Sequence, residues 1–533
     1  MPAAPYDPYK NRWIAQAEGR VVGVGERAAQ AYQAARQTCP KDRPRLFFVD
    51  GEGIAHPQPD NFDVWFEHPL LRRIARLWRE EGREGYLVGG AVRDGLLGAL
   101  DAETDLDLLV PAGGLDAARA LANALRAAFY PLDAERDVGR IVFPDHRYLD
   151  VAACRGGGVL DDLRLRDFTI NAIALRLDTP DPYLLDPLKG GEDLRQGVVR
   201  VASERAIRDD PLRAVRAVRI AARLGFTIEA DTRRHIEAGA SGLSTVSGER
   251  LRDELLKLLA VDKPGAAFGR LHTLHVLPHL LPEALPMVGM PQSPPHRYPL
   301  FDHTLAVMDA WAALSRLDDP RLAALETLRP ALHSYFQTEL AGNLSRAALM
   351  PFAALLHDIG KPKTFAQGTD GRIRFFGHPQ VGADIARRVL NGWRFSRQAT
   401  AFVVAIVRHH MRPLLLANQK TVSKRAIHRF VEAAGDAAPA VAFFALLDHA
   451  GIYGSPGEGA AWERLVSVVE RVCRMYFAPR PPVLLTGGDL IRHFHLAPGP
   501  HIGQLLRRLR EAQATGEANS REEALALVGR WLE

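Results

Sequence analysis

Apolar and polar residues along the chain fall into two regimes. In the N-terminal third, short apolar runs alternate with amphipathic stretches. Arg20-Val-Val-Gly reads as a strand, Glu26 to Gln37 as a helix and Arg45-Leu-Phe-Phe-Val as a second strand. From about Phe66 to Val201 the runs Gly85-Tyr-Leu-Val, Leu106-Asp-Leu-Leu-Val, Arg140-Ile-Val-Phe and Tyr148-Leu-Asp-Val read as strands. Helical segments such as Leu115 to Ala128 separate them. After about Glu204 the strand signal fades, and Leu- and Arg-rich helical patterns run to the end. Pro-rich segments at Pro286–Pro299 and Pro479–Pro482 mark boundaries. The pattern predicts an α+β chain: a small α/β unit over residues 1–62, a mixed-sheet head over 65–200, a helical neck over 201–290, a helical domain over 297–475 and a helical tail over 480–533. No short-period repeat is present.

Composition narrows the class. At roughly 150 residues per domain, 533 residues make three or four domains. With 47% hydrophobic and 25% charged residues, a disordered or fibrous chain is excluded. Lys+Arg 68 against Asp+Glu 63 gives a net charge of +5, compatible with a nucleic-acid partner without demonstrating one. Cys39, Cys154 and Cys473 are too scattered for a disulfide framework or a cysteine zinc site. No uninterrupted apolar run reaches the roughly 18 residues of a membrane span. The opening MPAAPYDPYKNRW lacks the apolar stretch of a secretory signal. A cytoplasmic protein with no membrane partner is expected.

Three features carry candidate chemistry in the head. Gly89-Gly90-Ala91-Val92-Arg93-Asp94 follows the strand Tyr86-Leu-Val. Paired glycines there serve either as a tight turn or as a close approach to phosphate, with Arg93 as a charged fork. Asp105-Leu106-Asp107 places two carboxylates two residues apart, hence on one face of a strand. Parallel carboxylates repel unless a cation lies between them, and hard oxygen ligands suit Mg²⁺ bound with phosphates. A solvated strand face is the alternative. Arg166-Asp167-Phe168-Thr169-Ile170-Asn171-Ala172 reads by itself as a helix cap.

Taken in this order, the three segments resemble the polymerase β superfamily. More narrowly, they resemble the class II tRNA nucleotidyltransferases and bacterial poly(A) polymerases. The resemblance continues through Asp186-Pro-Leu-Lys-Gly-Gly-Glu-Asp193, a flexible hinge motif in that family, and through Asp209-Asp210-Pro211-Leu212-Arg213-Ala-Val-Arg216-Ala-Val-Arg219, its nucleotide-selecting helix. It ends at Glu249-Arg250 and covers about residues 65–290. It implies template-independent addition of CMP and AMP from CTP and ATP to the 3′ end of tRNA. Asp105 and Asp107 would hold two Mg²⁺ ions, one activating the RNA 3′-hydroxyl and one neutralising pyrophosphate. Asp210 and Arg213 would read the base edge, and Arg216 and Arg219 would face the triphosphate. Arg166 and Asp167 would contact triphosphate and ribose. Gly89, Gly90, Arg93 and Asn171 complete the nucleotide-binding set. Three departures stand out. Leu165 occupies the place of a first arginine, and Asp209 stands where the family has Glu. The connection from Tyr148-Leu-Asp-Val-Ala-Ala-Cys154 to Arg166 is about twenty residues shorter than in CCA-building members. In that family loss of the loop goes with enzymes that add CC only, so CC-only addition stands beside addition of both CMP and AMP. The alternatives are a poly(A) polymerase, or a phosphohydrolase with an RNA-binding head.

The second half carries His303, His357-Asp358, His378, His409-His410 and Asp448 over a helical region. Singly, each is an ordinary core or surface residue. Their order resembles the HD phosphohydrolase superfamily, with His378 and His409 or His410 matching the extra ligands of two-metal members. That implies a divalent metal (Mn, Ni, Fe, Zn or Mg) activating water against a phosphoester. In the tail, the Gly-bearing turns before Gln504–Arg510 read either as an RNA phosphate contact or as an ordinary helical hairpin. Self-association is left open by the sequence.

Overall fold

The computed structural model describes the chain except residues 1–5, 102–103, 146, 343, 455–456, 458 and 480–481. Two of the residues in the Pro479–Pro482 boundary segment therefore lie outside the described ones. Contacts divide the chain into two units, residues 1–242 and 243–533, so the expected 201–290 neck is shared between them.

The first unit opens with a four-stranded sheet of order β2-β1-β3-β4, made from β1 (Arg12–Ala17), β2 (Arg20–Gly25), β3 (Arg45–Val49) and β4 (Ala55–Pro57). Glu18 and Gly19 join β1 to β2 with φ of 50° and 76°, the paired left-handed conformation of a tight hairpin. The helix Ala28–Thr38 packs on this sheet. The sheet has no separate core. Trp13 and Phe48 share one cluster with Tyr86, Val88 and Leu109 of the following sheet, and Tyr183 packs against it. Phe48 stacks on Tyr183 with ring centroids 3.7 Å apart. Polar ties reinforce the junction. The buried His56 bonds Asp50 through Nε2 at 2.8 Å, and its Nδ1 accepts the Asp186 N–H at 2.9 Å. Gln58 exchanges two amide hydrogen bonds with the backbone of Leu184.

The head sheet has seven strands in the order β11-β10-β5-β6-β9-β8-β7. They are β5 (Tyr86–Val88), β6 (Leu106–Val110), β7 (Ala128–Asp133), β8 (Val138–Val142), β9 (Tyr148–Ala153), β10 (Ala174–Arg176) and β11 (Leu184–Leu185). Only the β6–β9 pair is parallel, so the sheet is mixed as expected. In β6, Leu106, Leu108, Leu109 and Val110 are buried while Asp107 stays open. Helices Gly90–Leu96 and Gly114–Leu125 follow β5 and β6. The expected helix Leu115–Ala128 stops at Leu125, and an unexpected strand, β7, takes up Ala128. β7 contains Pro131, tolerated because the strand lies at the sheet edge.

In the second unit the helices Leu300–Leu314, Arg346–Leu356, His378–Gly392, Arg397–His409 and Ala438–Tyr453 gather around a metal-ligand cluster. One helical stretch among the described residues, Lys424–Tyr453, is long and apolar enough to cross a membrane, but 72% of its most apolar window is buried inside the fold. The tail helices Gly487–Phe494, Pro500–Thr515 and Arg521–Leu532 form their own small core around Leu490, Leu509 and Val528.

Candidate functional site

The head site is built at the ends of β5, β6 and β9. β5 ends at Val88, and Gly89 turns the chain at φ 75° into the helix Gly90–Leu96. A Cβ on Gly89 would stand 3.3 Å from Asp107 Oδ2 and 3.4 Å from Arg166 Nη1, so glycine here lets the acid and the arginine approach the turn. Asp105 precedes β6 by one residue and accepts a hydrogen bond from the Tyr148 hydroxyl at 3.2 Å. Asp107 is paired in register with Asp150 of β9. Its side chain opens on solvent, yet protein atoms crowd it. That desolvation pushes its carboxyl up to about 6, with Asp150 and Asp105 adding repulsion and Arg166 opposing. A divalent cation beside Asp107 would relieve this repulsion, although among the described residues the three carboxylates do not converge on one point as the ligand groups of the second unit do. Asp150 is a site residue that sequence reasoning did not single out. It is held by Arg140 in a two-pronged pair, both contacts at 2.8 Å.

Around the acids stands a set of arginines. Asp162, only 2% exposed, accepts from Arg155 Nε at 2.7 Å and from Arg166 Nε at 3.1 Å. Burial opposes its ionisation, but Arg166 and Arg155 hold its carboxyl below the usual range. Arg155 and Asp162 were both missed from sequence. Arg155 sits on the five-residue link Cys154–Gly158 between β9 and the helix Val159–Arg164. Asp167 is buried. Its Oδ1 accepts from the Phe168 N–H at 2.8 Å and from Asn171 at 3.1 Å, and its Oδ2 faces Arg216 Nη1 at 3.2 Å. Arg213 donates to the carbonyls of Leu165, Arg166 and Ala206, each at 3.2 Å. Asp210 Oδ1 accepts from the Leu212 N–H at 3.3 Å. Arg213, Arg216 and Arg219 follow one another at every third position of the helix Arg213–Leu224, and each is half-buried. Arg93 turns inward. It is 6% exposed and bonds Asp94 Oδ1 and Asn171 Oδ1, both at 2.8 Å. In this arrangement it braces Asn171, and through it Asp167. Its place on the inward face of a short helix explains this.

The second unit brings six of the seven expected metal ligands together. His303, His357 and Asp448 form one group, and Asp358, His378 and His410 another, all buried. Asp358 joins the two groups: its Oδ2 lies 3.1 Å from His357 Nε2, and its Oδ1 lies 3.3 Å from His378 Nε2 and 3.6 Å from His410 Nε2. His303 Nε2 is 3.1 Å from Asp448 Oδ1. The imidazoles are oriented from behind. His357, His378 and His410 direct Nδ1 at the carbonyls of Ala354, Phe375 and Val407, at 2.7–2.8 Å. Carbonyls only accept, so each Nδ1 carries a proton and Nε2 is the lone-pair position of each neutral ring, although against burial Asp358 draws His357 toward its protonated form. His378 and His410 then face each other lone pair to lone pair at 3.3 Å, an arrangement a cation satisfies and a hydrogen bond does not. Burial, and then the neighbouring imidazoles, lower His410 to about 3, although Asp358 pulls the other way. For Asp358 burial is outweighed by His357 and Lys361, which hold its carboxyl well below the usual range. Lys361, also missed from sequence, lies 2.7 Å from Asp358 Oδ2 and donates to Gln292 Oε1 at 2.7 Å. His409 is not part of the cluster. Adjacent helical residues point about 100° apart, so only one of the His409-His410 pair can face inward, and it is His410.

Comparison with known proteins follows this division. The family model of the poly A polymerase head domain matches residues 85–200, and that of the RNA- and SrmB-binding site of polymerase A matches 225–287. An HD domain model matches 300–430, and a tRNA nucleotidyltransferase domain 2 model matches 378–528. An A-adding tRNA nucleotidyltransferase of Deinococcus radiodurans is 35% identical over 459 residues, 84% of this chain and 95% of the relative. A CC-adding tRNA nucleotidyltransferase of Thermus thermophilus is 32% identical over 460 residues, 84% of this chain and 94% of the relative. Among solved structures, a CCA-adding enzyme in complex with ATP aligns with a TM-score of 0.61 at 21% identity, over 89% of this chain and 99% of that one. The Thermotoga maritima CCA-adding enzyme complexed with tRNA aligns with a TM-score of 0.58 at 22% identity, over 89% and 99%. These two likenesses show a shared fold.

Proposed function

The chain belongs to the tRNA nucleotidyltransferase family, and from that premise we propose that it extends the 3′ end of tRNA without a template, using CTP, ATP or both. The observation that carries this reading is the acid trio Asp105, Asp107 and Asp150 beside the Gly89 turn and the Arg166 guanidinium. Transfer forms a bond from the RNA 3′ oxygen to the α-phosphorus and breaks the bond to the β-phosphate, releasing pyrophosphate. Mg²⁺, when bound by Asp105 and Asp107, supplies charge neutralisation and lowers the pKa of the attacking hydroxyl. The chain's own cations do the rest. Arg166, fixed by Asp162, and Arg216, fixed by Asp167, face the triphosphate with Arg219, while Asp210 and Arg213 present the base-reading edge. In this reading residues 65–200 carry the chemistry, the 201–290 neck selects the nucleotide, and the 480–533 tail contacts RNA. The site of action is the cytoplasm.

The narrower reading is CC addition, favoured by the five-residue Cys154–Gly158 link. Incubating the protein with tRNA lacking its CCA end and with labelled CTP or ATP, singly and together, tests it. Two C residues from CTP and no A from ATP are expected. Efficient A addition to a CC end would overturn the narrower reading but keep the broader one.

For residues 297–475 we infer a metal-dependent phosphoesterase. Two divalent ions, held by His303, His357, Asp448, Asp358, His378 and His410, would supply a nucleophilic water at neutral pH. Hydrolysis places the water oxygen on phosphorus and its proton on the leaving ribose oxygen. The backbone carbonyls behind the imidazoles keep Nε2 aimed at the centre. Hydrolysis of a 2′,3′-cyclic phosphate with Mn²⁺, Ni²⁺ and Mg²⁺ in turn tests this. Inactivity with every metal would remove the assignment.

A further inference from the structure

The metal cluster lies beside a hairpin that the chemistry above leaves unused. Phe365–Gln367 pairs antiparallel with Ile373–Phe375, and Phe365 stands opposite Phe375. The hairpin is tied to the cluster. The Phe375 carbonyl accepts from His378 Nδ1 at 2.7 Å, and the Phe375 ring lies 5.3 Å from the Lys361 ammonium that pairs with Asp358. The Ile373 N–H donates to Ser293 Oγ at 2.8 Å, next to the Gln292 that holds Lys361. Between Phe375 and His378 the chain reverses over Phe376 and Gly377, the latter at φ 77°. Phe376 therefore occupies the tip of this turn, two residues from a cluster ligand and within about 7.6 Å of it along the backbone.

Phe376 is 77% exposed, the most exposed aromatic among the described residues. A turn tip does not require an aromatic. Asn, Asp, Ser and Gly serve there without leaving apolar surface in water. Phe365, on the facing strand, is 45% exposed. Lys363, in the turn just before the hairpin, and Arg372, in its loop, are exposed, and Arg374 is half-buried against Asp370. Exposed aromatic rings bordered by cations, beside a centre that fits phosphoester cleavage, make the combination that binds nucleotides by stacking and charge.

We propose that Phe376 is the base-stacking subsite of the second unit, so that the cluster takes a base-bearing phosphate ester: the terminal nucleotide of an RNA 3′ end that carries a phosphate or cyclic phosphate. This rests on the phosphoesterase reading of the cluster. A free nucleotide offers the same base and phosphate, and the test separates the two sources.

Three cyclic esters are compared on the full chain loaded with Mn²⁺ or Ni²⁺: an RNA oligonucleotide ending in 2′,3′-cyclic phosphate, adenosine 2′,3′-cyclic phosphate, and base-free 1-O-methylribose 2,3-cyclic phosphate. Phe376→Ala is expected to raise KM about tenfold for the base-bearing esters, the low end of base stacking on an aromatic side chain. It leaves kcat and the base-free ester within twofold, and Phe376→Trp restores KM. CMP addition to tRNA stays unchanged in both variants, and the retained kcat with the base-free ester reports an intact second unit. A rise confined to the RNA assigns the subsite to the polymer end, and a rise shared with the nucleotide assigns it to the base alone; both support stacking. An unchanged KM for both base-bearing esters, or an equal rise for the base-free one, overturns the proposal. A wild-type protein that hydrolyses none of the three overturns the phosphoesterase reading and the proposal with it.

Discussion

Asp162 is the residue on which the arginine geometry of the head turns. It fixes Arg166 beside Asp107 and Arg155 on the short link. Asp162→Asn keeps its shape and removes its charge. It is expected to raise KM for CTP about tenfold, the worth of one charge-assisted hydrogen bond, with a smaller effect on kcat. Its acid sensitivity follows from its pKa direction. Folding holds the carboxyl below its unfolded value, so its stabilisation is fully present above about pH 4 and is lost as pH falls through the folded value. Urea midpoints measured from pH 6 to pH 3 should therefore fall less steeply for Asp162→Asn than for the wild type. Equal slopes would contradict the assignment. At this scale the legible residues were those whose spacing alone imposes proximity. Asp105 and Asp107 share an exposed face because they are two apart, and the His357-Asp358 pair falls at one helix end. Asp150, Asp162, Arg155 and Lys361 were illegible, because their partners come from strand register and from chain brought close only by folding.

Elements place these side chains by close backbone contact. The helix Gly190–Gln196 begins against the turn Thr169–Asn171, where a Cβ on Gly190 would stand 2.1 Å from the Thr169 carbonyl oxygen. Gly190→Ala must push the turn carrying Asn171 away, and a destabilisation of about 2 kcal/mol in chemical denaturation is expected, with weakened nucleotide addition. Wild-type stability in this variant would show that the contact yields freely. Helix and strand identities were readable where the apolar pattern was clear, as in the helix Ala28–Thr38 and the short apolar run Leu106–Val110. They failed at β7, where Ala-Phe-Tyr-Pro continues an apolar helical run and only its edge position makes the proline tolerable. The Arg stripe of Arg213–Leu224 was legible as one face, but its partners were not: Arg213 directs its two terminal nitrogens at three carbonyls and leaves its other donors to the base-reading role proposed for it.

At the scale of the whole molecule, the first sixty residues are not an appendage. Trp13, Phe48 and Tyr183 close one core with the head sheet, and His56 holds the segment leading to Asp186 and Gly190. A chain lacking residues 1–60 is expected to expose that cluster, and its thermal midpoint should fall or its head should fail to fold. A head of unchanged stability would mean that the shared core is dispensable. The sequence divided this region at residue 62 because a change of pattern marks a linker, whereas only packing reveals a common core. The two centres lie in different units, 1–242 and 243–533, and their chemistries should separate. Asp358→Ala should abolish cyclic-phosphate hydrolysis and spare CMP addition.

That Asp105 and Asp107 hold the metal that drives transfer is the proposal on which the chemistry of the head rests. It is tested most directly by the rate of labelled CMP incorporation into tRNA lacking its CCA end, with Mg²⁺, for wild type and Asp107→Asn. The predicted result is a loss of about a thousandfold or more, with cyclic-phosphate hydrolysis unchanged. Incorporation by Asp107→Asn at a rate near that of the wild type would contradict the account.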